Sequence, residues 1–97
     1  MRNYEHMLDH FTKEDRIELD KLARFLQEKA PEVSLVTIEE NSHIVSFIIP
    51  DNVDDDKYYD MLLEWADKYV LIGLDFYLLS EVRKADLFYV KDLLLPT

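Results

Sequence analysis

Apolar residues recur along the chain with two periods, and their alternation lays out the expected elements. Tyr4, Met7, Leu8 and Phe11 repeat at i, i+3, i+4, i+7, the spacing of a short amphipathic helix. Thr12 then reads as an N-cap, and Asp15, three residues on, completes a capping box. In the helix that follows, Leu19, Leu22, Ala23, Leu26 and Ala30 form one stripe, and Asp20 and Arg24 lie at i, i+4. Pro31 disfavours helical geometry at Ala30, so this helix is expected over 13–29. Residues 33–38 and 44–49 are rich in β-branched side chains and bracket the polar turn Glu39-Glu40-Asn41-Ser42-His43, which predicts a β-hairpin.

Pro50 stops the second strand, and Asp51 or Asn52 is the expected cap of a second long helix over 53–71. Its first turn carries Asp54, Asp55 and Asp56, where the backbone dipole favours negative charge. Tyr58, Leu62, Trp65, Ala66, Tyr69 and Val70 form the expected buried stripe, and Gly73 is the expected left-handed terminator. Residues 74–79 and 87–91 read as two further strands joined through Ser80-Glu81-Val82-Arg83-Lys84, with a helical reading of 74–84 as the alternative. Offsets of forty and forty-one residues superpose Leu22 on Leu62, Phe25 on Trp65, Phe47 on Phe88 and Ile49 on Val90, the layout of a pseudo-repeat.

The expected architecture is a single α+β domain over residues 1–97, helix–hairpin–helix–hairpin. It folds as a four-stranded antiparallel sheet with two long helices on one face. The other sheet face is not cleanly polar, because Ile44, Ser46 and Ile48 alternate with Val45, Phe47 and Ile49. The N-terminal helix or a second subunit is expected to cover it, with homodimerisation through the open face slightly favoured.

Composition changes this picture in two ways. The chain has no cysteine, which excludes disulfides, thiolate nucleophiles and sulfur-ligated zinc. Its N-terminus resembles no secretory signal and no apolar run approaches the ~18 residues that would span a bilayer, so a cytoplasmic protein is expected. The formal net charge is −10, and residues 30–67 hold ten acids against Lys57 alone. Such a charge disfavours nucleic acid and anionic membranes as direct partners and favours a basic protein.

Candidate chemistry is sparse. His6 and His10 have helical i, i+4 spacing, but no third ligand is evident, and surface histidines account for them. The run Asp51 to Asp56 lacks the alternating acids and central glycine of a calcium loop, so capping explains it. The serines at 34, 42, 46 and 80 stand in no catalytic motif, and a single glycine excludes a phosphate-cradling loop. No catalytic, cofactor-binding or metal-binding residue is therefore assigned, and an enzyme is not expected.

A surface remains. Tyr58 and Tyr59 sit between Asp54-Asp55-Asp56 and Asp60 with Glu64, and Glu39 and Glu40 occupy the hairpin turn. Tyrosines supply rigid contact area, and the surrounding carboxylates would steer a basic partner. At most one of two neighbouring helical tyrosines can point into the core. The expected function is a non-enzymatic acidic inhibitor that binds a basic protein surface. Immunity proteins against nuclease toxins and phage inhibitors that mimic nucleic-acid charge are the physical precedents. The alternative is a dimeric ligand-sensing or structural accessory domain with a cavity lined by Trp65, Phe47 and Phe76, its acidity serving solubility alone.

Overall fold

The computed structural model describes residues 8–96. Its elements are α1 (Lys13–Lys29), β1 (Leu35–Ile38), β2 (Ile44–Ile49), α2 (Asp56–Lys68), β3 (Gly73–Leu78) and β4 (Phe88–Tyr89), with three short 3-10 turns after β3. The α+β class, the two long helices and the four strands agree with the sequence.

The capping box forms at the start of α1: the Asp15 amide donates to Thr12 Oγ1 (3.1 Å) and the Thr12 amide to Asp15 Oδ2 (2.9 Å). Of the residues expected in an N-terminal helix, Tyr4 and Met7, like His6, lie outside the described residues. Leu8 and Phe11 are buried and joined by a turn. At the hairpin, β1 and β2 pair antiparallel with Val36 opposite Phe47, and Asn41 turns the chain with φ +62°, a conformation asparagine tolerates.

The second half corrects the expected antiparallel sheet. The strand order is β3-β2-β1-β4, with β3 parallel to β2 and β4 antiparallel to β1. Residues 74–79 and 87–91 thus make no hairpin; their strands lie at opposite edges of the sheet. A polar pentapeptide between two apolar runs reads the same whether the chain turns back or crosses over. Here α2 is the crossover between parallel β2 and β3, and residues 79–87 are a second crossover. The helical alternative for 74–84 is confined to the 3-10 turn Leu79–Glu81 and the start of the next.

Both helices pack on one sheet face. Leu19, Leu22 and Leu26 of α1 and Tyr58, Met61 and Trp65 of α2 join Val36, Ile38, Val45, Phe47, Ile49 and Phe88 in one core. On the opposite face Thr37, Ser46 and Ile48 are also buried. There Thr37 Oγ1 donates to the Asp86 carbonyl (2.8 Å), so the crossover after β3 runs over that face. This connection supplies part of the cover that the apolar pattern required.

Helix α2 is shorter than 53–71. Asp55 is its N-cap without a side-chain bond, and the Asp56 amide donates instead to Asp54 Oδ1 (3.1 Å). Its end is fixed by two side chains that grip one residue: Trp65 Nε1 donates to the Ile72 carbonyl (2.7 Å), and the Ile72 amide donates to the buried Glu18 of α1. This grip draws the chain out of helical geometry, so Val70 projects outward; within the helix Ala66 lies on the exposed side, contrary to the expected stripe, while Met61 is buried. Gly73 is not a left-handed terminator. It opens β3, and a Cβ there would lie 3.2 Å from Ile44 Cγ1.

Candidate interaction surface

The outer face of α2 gathers most of the residues singled out above. At roughly 100° per residue, Tyr59, Leu63 and Ala66 fall within an arc of about 60°, with Asp56, Asp60 and Asp67 in a row along one flank. All six are exposed, Tyr59 at 52% and Leu63 at 72%, whereas a helix serving only the fold would place polar groups there. The Tyr59 ring rests edge-on against Phe76 of β3 at 5.0 Å, which holds it upright on the helix. Beyond the end of the helix Val70 is exposed as well.

At the N-terminal end, one carboxylate oxygen each from Asp54, Asp55 and Asp56 lies within 4.8 Å of the others. Among the described residues this is the one group of three or more potential metal ligands so closely spaced, and it is open to solvent. Three negative charges at the positive end of a helix are stabilised by its dipole. They also concentrate a negative field where Tyr59 begins the apolar line.

The remaining predicted residues divide among other places. Tyr58 is the tyrosine that turns inward. It is 4% exposed, packs on Phe47 at 5.5 Å, and its hydroxyl donates to Glu32 Oε2 (2.7 Å). Lys57 Nζ reaches the same oxygen at 2.9 Å. These two donors hold the Glu32 carboxyl down at about 2, and burial together with the Glu32 charge pushes the Tyr58 hydroxyl up to about 12. Glu64 faces α1, where Lys29 Nζ lies at 3.6 Å, with Lys68 Nζ at 4.0 Å. Glu39 extends over the opposite sheet face, where its charge raises the Tyr77 hydroxyl. Glu40 stays exposed in the hairpin turn. Since β2 is six residues long, that turn and the start of α2 are separated by roughly 17–20 Å. Asp54, Asp55, Asp56, Tyr59 and Asp60 converge; Glu39, Glu40, Tyr58 and Glu64 do not.

Sequence reasoning missed Leu63, Ala66, Asp67 and Val70. The signal was present: Tyr59, Leu63, Ala66 and Val70 follow i, i+4, i+7, i+11, a second apolar stripe beside the one that builds the core. It also missed the role of two histidines. His10 Nε2 donates to the Ser42 carbonyl (2.8 Å), and His43 Nε2 meets Asp15 Oδ2 at 3.1 Å, with the two rings 5.1 Å apart. His10 fastens the segment before α1 to the hairpin turn, and His43 fastens the turn to the first turn of α1. Comparison with known families, curated proteins and solved structures returns no match.

Proposed function

We propose that this chain is a non-enzymatic interaction protein of the inhibitor type, which occupies a basic surface on another protein with the outer face of α2. The observation that carries the reading is the exposed pair Tyr59 and Leu63, one turn apart, beside the carboxylates of Asp56, Asp60 and Asp67. An aromatic and a branched aliphatic anchor supply contact area, and flanking acids steer a cationic partner and reject anionic ones. Two copies meeting through this face would oppose like charges, so it suits a basic partner better than itself. An acidic patch this compact favours an immunity-type inhibitor over a nucleic-acid mimic, which needs carboxylates arrayed along a long face. Among the described residues no helix is long and apolar enough to cross a membrane. The reading places the protein in the cytoplasm with its partner.

The test is affinity capture from source-cell lysate at low and moderate salt, with partners identified by mass spectrometry. Two variants run alongside: Asp54→Asn with Asp55→Asn, Asp56→Asn and Asp60→Asn, and Tyr59→Ser with Leu63→Ser. A single stoichiometric basic protein, retained by the native chain and lost by both variants, is expected. Equal capture by all three proteins would contradict the assignment of this face.

A further inference from the structure

The sheet has two unequal edges. On one side β4 is two residues long; on the other β3 presents six residues, with no described strand beyond it. A free edge of that length displays unpaired amides and carbonyls and is a template for another strand. The Gly73 amide donates inward to the His43 carbonyl (2.9 Å), so alternation along the strand turns the amides of Leu74, Phe76 and Leu78 outward. Two of these three outward amides are already taken by carboxylates of the chain itself. The Phe76 amide donates to Asp75 Oδ1 at 2.8 Å, and the Leu78 amide to Glu81 Oε1 at 2.7 Å.

We propose that the outer edge of β3 is a self-association surface that Asp75 and Glu81 hold closed, and that the partner it fits is the same edge of a second copy. Residues 73–78 contain no proline, lysine or arginine, the residues that usually blunt an edge; Asp75 is their one charge. Leu74, Phe76 and Leu78 all pack against the core and are each partly exposed. Pairing two such edges about a two-fold axis would continue that apolar row from one sheet into the next. A second copy offers an edge of identical length and pleat. In the native chain, docking would require both carboxylates to leave their amides, and would bring Asp75 of one copy near Asp75 of the other. The guard thus opposes association through hydrogen bonding and through charge. This inference uses a surface separate from the outer face of α2 and stands independently of the proposed function.

The experiment compares the full native chain with Asp75→Ala/Glu81→Ala and Asp75→Asn/Glu81→Gln by sedimentation equilibrium from about 10 to 500 µM, where an unaided weak interface becomes populated. Amide hydrogen exchange is read at Leu74, Phe76 and Leu78. The native chain is expected to remain monomeric. The alanine variant is expected to dimerise at least roughly ten-fold more tightly, with exchange at those three amides slowing as concentration rises. The amide variant, which keeps the acceptors but not the charge, is expected to fall between them and covers the case in which the alanine variant misfolds. Adding Leu74→Lys to either variant should restore the monomer. Folded variants that stay monomeric across this range, or that associate without slowing these three amides, would overturn the proposal.

Discussion

The two helices carry acids in similar density and use them in opposite ways. In α1, Asp15, Glu18 and Asp20 turn inward and hold other parts of the chain, while Glu14 and Glu28 stay exposed. Asp15 takes the Thr12 amide and His43; Glu18 takes the Ile72 amide; Asp20 takes the Leu95 amide at 2.9 Å as well as Arg24. Backbone amides, helped by the Thr12 hydroxyl and His43 at Asp15 and by Arg24 at Asp20, hold the Asp15 and Asp20 carboxyls below their ordinary value. In α2, Asp56, Asp60 and Asp67 face solvent beside exposed Tyr59 and Leu63, and the start of the helix has no side-chain cap of its own. The difference separates charge that builds the fold from charge left available for something outside it. Net charge alone cannot make that distinction, since both kinds count equally toward −10.

The sharpest way to break this contrast is at Glu18. Replacing it with alanine leaves the buried Ile72 amide without its acceptor and should cost about 1–3 kcal/mol in urea unfolding. Glu18→Gln, which still accepts, should cost less. Thr12→Ala removes one half of the capping box and should cost about 1 kcal/mol by the same measurement.

Acid titration sharpens the comparison further. Glu32 is lowered from 4.5 to about 2 on folding, so its contribution to stability is complete above 4.5 and is lost as pH falls toward 2. Tyr58→Phe removes the strongest cause of that shift, and its unfolding midpoint should fall less steeply over this window than the native one. The smallest effect on stability is expected on the outer face of α2. Leu63→Ser should change unfolding by no more than about 0.5 kcal/mol, and Tyr59→Ser, which gives up its edge contact with Phe76, by about 0.5–1.5 kcal/mol, while each abolishes partner capture.

Much of the fold was legible because local chemistry agreed with it. Thr12 and Asp15 marked the start of α1, Pro31 its end, and the β-branched runs around Glu39 to His43 the hairpin. The pairing of β3 with β2 and of β4 with β1 was not legible, because strand partners are chosen by long-range packing and Ser80 to Lys84 suited either a turn or a crossover. Helix α2 lost its last turn to contacts from Glu18 and Trp65 to Ile72, which no local pattern encodes. Within the surface, the aspartates and Tyr59 were visible as a cluster. Tyr58 and Glu64 separated from it only once the helix had a definite core side. Glu39 and Glu40 separated because the length of β2 lies between them and the start of α2.

The most direct test pairs two charge-neutralised proteins in one urea-unfolding experiment at neutral pH and low salt. One carries Asp15→Asn, Glu18→Gln and Asp20→Asn; the other carries Asp56→Asn, Asp60→Asn and Asp67→Asn. The α1 variant should unfold at clearly lower urea than the native chain, having lost charge-assisted bonds that tie three segments together. The α2 variant should stay close to native stability, because the mutual repulsion it sheds offsets the favourable interaction of Asp56 with the helix dipole. Equal destabilisation of both would show that the acids of α2 also hold the fold, and would contradict the account of its outer face as a surface kept for a partner.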